Sequence, residues 1–319
     1  MKWDVLSVGM TVIDLLTGHI SDLPPADGLL ELDSFQISTG GVASTYARDI
    51  AKLGLSCGLV SSVGDDLLGK LGFEMMASDG VHMDEVIQID KGKTGTSIVL
   101  IDPLGERRFL YFPGVVDELK SPEEVDLALY RHVHIGGAPL VSKYTGKEGL
   151  KFLKRAHDDG LSTSLDTVMT TRDEWASVRK LLSEIDIAMP SYIEANMLTG
   201  EKEPLKQARN LLEYGVQIAV IKLGASGALF WKSGSRPYLI EPPSIQVVDT
   251  TGAGEAFCAG FTYGWLSGWD FLDSGIFAVT CGSLATQGFG GPTAIKRHDE
   301  VMKWAAENGF QPKVKLVSP

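Results

Sequence analysis

The stretch Val247-Val248-Asp249-Thr250-Thr251-Gly252-Ala253-Gly254-Glu255-Ala256-Phe257 runs from a β-branched pair through two closely spaced glycines into an apolar pattern marked by Phe257, Ala259, Phe261, Trp265 and Leu266. This order predicts a strand-to-helix turn. Glycines at 252 and 254 keep side chains away where backbone amides must approach a ligand, and the first turn of the helix offers unpaired N–H groups at the positive end of its dipole. Together these features make an anion hole. Glu255, in the first helical turn, can accept a proton from a hydroxyl held beside the anion. The loop also reads as a plain tight turn in which the glutamate compensates the helix dipole, and the rest of the chain decides between the two.

Upstream, Val5-Leu6-Ser7-Val8-Gly9 is a short buried strand ending at a glycine, with Asp14 following on an edge or loop. Short apolar runs at 58–60, 97–101, 132–135, 164–165, 187–189 and 218–221 read as further strands. Segments 43–53, 148–157, 171–182 and 204–214 carry apolar residues at three- and four-residue spacing and read as helices. Strand alternating with helix predicts an α/β domain whose mainly parallel sheet is covered on both faces. Two regions break the rhythm, about 12–37 and 92–113. In the second, the runs 94–100 and 107–112 flank Pro103-Leu104-Gly105, as in a β-hairpin. Such a hairpin cannot easily join a parallel sheet, so both regions are assigned to a small β lid inserted in a single domain spanning 1–319.

Forty-four per cent of the 319 residues are apolar and 22% are charged, which is the balance of a folded globular chain. Forty-one acidic against 29 basic residues give a formal charge of −12, unfavourable for a nucleic-acid backbone or an anionic membrane surface. A nucleotide ligand would therefore have to be met locally, by amides, a helix N-terminus or a divalent cation. Cys57, Cys258 and Cys281 lie far apart and are read as reduced thiols. No signal-peptide core or membrane-length apolar run is present in the sequence, and the expected compartment is the cytoplasm.

Three motifs in order resemble the ribokinase, or phosphofructokinase-B, family of carbohydrate kinases over nearly the whole chain. Gly40 to Gly54, followed by Val63-Gly64-Asp65-Asp66 and Gly69, is similar to the family's N-terminal signature. Lys222-Leu223-Gly224-Ala225-Ser226-Gly227 resembles its nucleotide-side glycine turn, and Asp249 to Phe257 its C-terminal signature. The resemblance implies a three-layer ribokinase-like fold and transfer of phosphate from ATP, with Mg2+, to a hydroxyl of a sugar or sugar-like polyol. It places Asp14, Gly40, Gly41, Thr45 and the hairpin residue Arg107 on the substrate. Lys222, Gly224, Gly227, Thr250 and Thr251 fall on the nucleotide side, and Gly252, Ala253 and Gly254 form the anion hole. Glu255 aligns with the catalytic base. The resemblance further implies that Glu194 organises magnesium through water, that Asp249 is a site for a monovalent cation such as K+, and that pairing through the lid gives a homodimer.

Three positions depart from the family's pattern. Thr45 and Ser191 each stand where asparagine is usual, and Glu255 where aspartate is usual. The last change moves a carboxylate about 1 Å, a displacement that can cost roughly 100-fold in rate. These departures keep open a second reading, a non-catalytic or weakly active kinase-fold protein that binds or senses a ligand. A nicotinamide-dependent dehydrogenase fits poorly, because no glycine fingerprint follows the first strand.

Overall fold

Strands buried on every residue have cover on both faces, and β1 (Val5–Gly9), with all five residues buried, is such a strand. A computed structural model of the chain describes residues 2–102, 107–170, 172–288 and 294–318. After β1 come β2 (Val12–His19), β3 (Phe35–Gly40), α1 (Val42–Leu53), β4 (Cys57–Gly64), α2 (Leu67–Ser78), β5 (Val81–His82), β6 (Val86–Ile89), β7 (Thr96–Ile101) and β8 (Arg107–Phe112). The middle of the chain gives β9 (His132–Gly136), α3 (Gly146–Asp158), β10 (Ser162–Asp166), α4 (Trp175–Arg179), β11 (Ile187–Ala188), α5 (Tyr192–Thr199), α6 (Pro204–Glu213) and β12 (Ile218–Lys222). It closes with β13 (Ala228–Lys232), β14 (Tyr238–Glu241), α7 (Ala253–Leu266), α8 (Phe271–Ala285), α9 (His298–Glu307) and β15 (Lys313–Leu316).

The main sheet has the order β15-β14-β13-β12-β11-β10-β9-β1-β4-β5, with β6 also paired to β4. Pairing is parallel from β12 across to β5, and β13 to β15 add an antiparallel edge. Residues of α1, α7, α8 and α9 cover one face around Tyr46, Phe230, Phe261 and Phe277. Residues of α3 to α6 cover the other around Phe152, Trp175, Leu198 and Leu211. The result is the expected α/β/α sandwich.

A second sheet, in the order β3-β2-β7-β8, is built from the two regions that interrupt the βα rhythm. Its register sets residues in transverse rows of alternating character. Ser38, Asp14, Ser97 and Tyr111 make a polar row. Ile37, Leu15, Ile98 and Leu110 make the next, on the opposite face, and there Ile37, Ile98 and Leu110 are exposed.

Three expectations change. Asp14 is on an inner strand of the small sheet, not on an edge or loop, because β2 pairs on both sides. Val247 and Val248 form no strand. Pro242 and Pro243, which donate no backbone hydrogen bond, follow β14, and the Val248 and Asp249 amides instead donate to the Thr286 carbonyl at the end of α8 (2.8 and 3.3 Å). The helix expected over 171–182 shortens to α4 and a 3₁₀ turn at Leu182–Glu184. Tight i to i+3 bonds, such as Leu181 N–H to Val178 O (2.9 Å), bring Leu181 and Leu182 into the core. The hairpin is formed by β7 and β8, while its turn residues Pro103, Leu104 and Gly105, like Thr171, lie outside the described residues.

Asp49, in α1, is fully buried and neither carboxylate oxygen has a hydrogen-bond partner. Burial pushes its carboxyl well above the ordinary 3.8, against the pull of Lys52 and Arg48. An acid that keeps its proton more tightly when folded costs stability as pH rises past 3.8, where the unfolded chain ionises first. Asp49→Asn should therefore raise stability at pH 8 by about 1–3 kcal/mol. The gain should shrink toward pH 4. Urea unfolding at the two pH values measures it, and a variant less stable than the parent at pH 8 would refute this account.

Candidate active site

The parallel strands deliver their carboxyl ends to one edge of the main sheet, the usual place for a ligand in an open α/β sheet. Asp166 ends β10, Lys222 ends β12 and Ser191 opens α5 there. Facing them is the glycine loop. Gly252 is left-handed at φ 75° as the N-cap of α7, and no side chain caps that helix, so its leading amides stay available to an anion. Asp249 shapes the approach, its Oδ1 accepting from the Thr251 amide (2.9 Å) and hydroxyl (2.7 Å). Thr250 is exposed beside it.

From the small sheet, Arg107 Nη1 donates to Thr251 Oγ1 at 2.9 Å, across 144 positions of sequence. The polar row containing Asp14 faces the same cleft. Burial pushes the Asp14 carboxyl up to about 7, with Glu255 and Asp249 adding to the rise and Arg107 opposing it. Gly40 pairs with Val12 beside it, and a methyl group built there would overlap the Asp14 carboxylate. Gly41, at φ 93°, caps α1 with its back to the Met10 carbonyl, and a side chain there would be both strained and obstructed. Thr45, buried in the first turn of α1, follows directly, its amide donating to the Gly41 carbonyl (2.9 Å).

Glu255 lies in the first turn of α7, partly accessible. Burial raises its carboxyl above the ordinary value, while Lys222, its own backbone amide and Arg107 draw it down and Glu194 adds to the rise. A carboxylate shifted this way is better matched to taking a proton near neutrality. Lys222 Nζ is held by both oxygens of Asp166 at 2.7 and 2.9 Å. Although burial pulls the ammonium down, Asp166 raises it above its ordinary value, so it stays charged.

Glu194 Oε2 closes a capping box at the start of α5, accepting from the Ser191 amide (2.8 Å) and from Thr167 Oγ1 (2.9 Å). Ser191 thus supplies the helix cap where asparagine is usual. Gly224 (φ 59°) and Gly227 (φ 87°) turn the chain between β12 and β13. Space is open beside Gly224, whereas a methyl on Gly227 would meet the Ile240 carbonyl. Among the described residues no three His, Cys, Asp or Glu side chains converge to hold a metal. The three cysteines are buried, and burial pushes each thiol up, leaving them unreactive.

Sequence reading missed Asp166, Thr167 and Cys258. Asp166 was findable as a carboxylate directly after the run Ser164-Leu165, the position at which a parallel strand delivers a side chain to its site.

A three-layer α/β sheet with an uncapped helix start, a partly accessible carboxylate in its first turn and a small sheet reaching the same loop is the arrangement of a small-molecule phosphotransferase. Comparison with known proteins narrows this. Residues 3–296 match the pfkB family carbohydrate kinase model, and the chain belongs to that family. It is 30% identical over 308 residues to an ATP-dependent ribose-1-phosphate kinase of Halopiger xanaduensis, covering 95% of this chain and 98% of the relative. An uncharacterized sugar kinase of Archaeoglobus fulgidus is 34% identical over 229 residues, 71% of this chain and 89% of the relative. The structure of Arabidopsis thaliana ribokinase complexed with ribose and ATP superposes with a TM-score of 0.79 at 24% identity, over 95% of this chain and 98% of that one, a likeness of fold. The protein is a carbohydrate kinase, catalysing ATP-dependent phosphorylation of a sugar hydroxyl. No helix among the described residues is long and apolar enough to cross a membrane.

Proposed function

We propose that Glu255 is the general base of this kinase and that the amides of Gly252, Ala253 and Gly254 hold the transferring phosphoryl group. The observation that carries this reading is the joining of three elements at one loop: the uncapped start of α7 with Glu255 in its first turn, Asp14 from β2 and Arg107 from β8. Asp14, Gly40, Gly41 and Thr45 hold the acceptor sugar, with Asp14 orienting its hydroxyls. Glu255 takes the proton of the attacking hydroxyl, whose oxygen forms the new bond to the γ-phosphorus as the bond to ADP breaks. Lys222 and Arg107 offset the charge on the phosphoryl oxygens, and donors already in place need no rearrangement as charge develops.

The nucleotide lies along Thr250, Thr251 and the open side of Gly224, with Gly227 keeping that turn tight. Magnesium, which neutralises phosphate charge when bound, suits this site as a guest of the nucleotide, since a hard cation can keep its waters and take few protein ligands. Glu194 would hold it through water. A monovalent cation at Asp249 would brace the turn closed by Thr251, and comparing turnover in K+ with turnover in a bulky organic cation measures it. The exposed row Ile37, Ile98 and Leu110 is the surface by which two copies pair, which light scattering of the purified chain reports.

The acceptor class is a sugar, sugar acid or sugar phosphate, supported by relatives named ribose-1-phosphate kinase and 5-dehydro-2-deoxygluconokinase. Incubation with ATP and magnesium across such a panel, scored by product mass, tests it. One acceptor turned over at ordinary enzyme rates supports the assignment, and binding without product on every acceptor overturns it.

A further inference from the structure

We propose that Asp166 is a positioning residue for the transfer, holding the Lys222 ammonium beneath the first turn of α7 at the floor of the anion hole. The pair bridges the ends of β10 and β12 across the two-residue strand β11. Three donors besides chain connectivity fix the Asp166 carboxylate: Lys222 Nζ on both oxygens, the Thr167 amide on Oδ1 at 2.8 Å and the Cys258 thiol on Oδ2 at 3.4 Å. Cys258 lies on α7 one turn after Glu255, so the clamp ties the sheet to the helix that carries the base.

A lysine has a long flexible stem and a compact, strongly hydrated head, and left alone it would reach for solvent. Here the side chain is 14% exposed and that of Asp166 3%. The ammonium lies 3.3 Å from where a Cβ on Gly254 would stand, so the glycine leaves room for the charge directly under the loop. A cation pinned there is already in place when phosphoryl charge develops, the condition under which a fixed charge acts on the rate and not only on binding. Asp166 itself touches no reacting atom. It acts through Lys222.

The test is a double-mutant cycle with Asp166→Asn and Lys222→Met, reading kcat and KM for the sugar and for ATP. Asp166→Asn should lower kcat on the order of 100-fold, the effect of about 1 Å of misplacement, with KM for the sugar within about threefold. Lys222→Met should do the same, and the double variant should fall no more than about twofold below Lys222→Met. That last comparison leaves no unpaired buried ammonium and stands even where Asp166→Asn alone does not fold. A double variant tenfold worse than Lys222→Met, or an Asp166→Asn enzyme within twofold of the parent, overturns the proposal. Because it rests on the kinase reading above, the cycle is repeated on binding of a non-hydrolysable ATP analogue by calorimetry. No turnover by the parent chain with non-additive analogue affinities overturns that reading and keeps the coupling, while additive costs in kcat overturn the coupling alone.

Discussion

Replacing Glu255 by glutamine should remove most turnover, on the order of 10² to 10⁴-fold in kcat, while affinity for nucleotide stays within a few-fold. The amide keeps the size of the side chain and one acceptor oxygen but cannot take a proton at any working pH. Its neighbours also set a pH signature. Burial raises the Glu255 carboxyl, with Lys222 and Arg107 pulling it back, so the base becomes competent at a pH higher than that of an ordinary glutamate. The parent enzyme should show an acid limb in kcat/KM displaced upward, and the residual activity of the glutamine variant should keep only the limb set by Asp14, whose carboxyl is pushed up to about 7. A coupled assay for ADP release between pH 5 and 9 measures both. Unchanged turnover in Glu255→Gln would remove the residue from the mechanism.

A single methyl group at position 40 should be nearly as damaging, by a different route. Gly40 lies against the Asp14 carboxylate so closely that a Cβ there overlaps it, and the contact is with an inner strand held by partners on both sides. Gly40→Ala must therefore displace the Asp14 side chain or spread β2 from β3. About 1 Å of movement in a group that orients the acceptor costs roughly 100-fold. With Asp14 on the acceptor and not the nucleotide, as proposed, the loss should fall on kcat/KM for the sugar. KM for ATP should be unchanged within about threefold. Equal losses on both substrates would point to general disruption of the fold and would sink the assignment of Asp14 to the sugar.

The parallel core was legible because its strands are apolar on both faces and its helices keep a regular apolar spacing. The glycine turn into α7 was legible for a local reason: glycines, a carboxylate and a helix start are consecutive in sequence. What escaped reading depended on contacts between distant segments. Strand β10 was seen only as Ser164-Leu165 because its polar residues are satisfied by the neighbouring strand, His132 bonding Ser162 and Ser164 at 2.7 Å each and His134 bonding Ser164 at 2.7 Å. Truncating the strand hid Asp166 at its end. Arg107 was placed on the substrate side by resemblance alone, and its contact with Thr251, 144 positions away, had no signal in the sequence. Val247 and Val248 have strong β character but no strand to pair with, and tertiary context overrode propensity there.

The alternating rows of the small sheet have a consequence for how the chain must be made. Asp14 and the apolar Leu15 are adjacent, so a slip of one residue in the pairing of β2 would send the acid to the opposite face and set a leucine in its place. On the role proposed for Asp14, such a chain would keep its whole main sheet and its glycine loop and still be inactive. Correct registration during biosynthesis is thus a requirement separate from overall stability. A preparation with a sharp melting transition but a fractional active-site titration would carry its inactive share in this sheet.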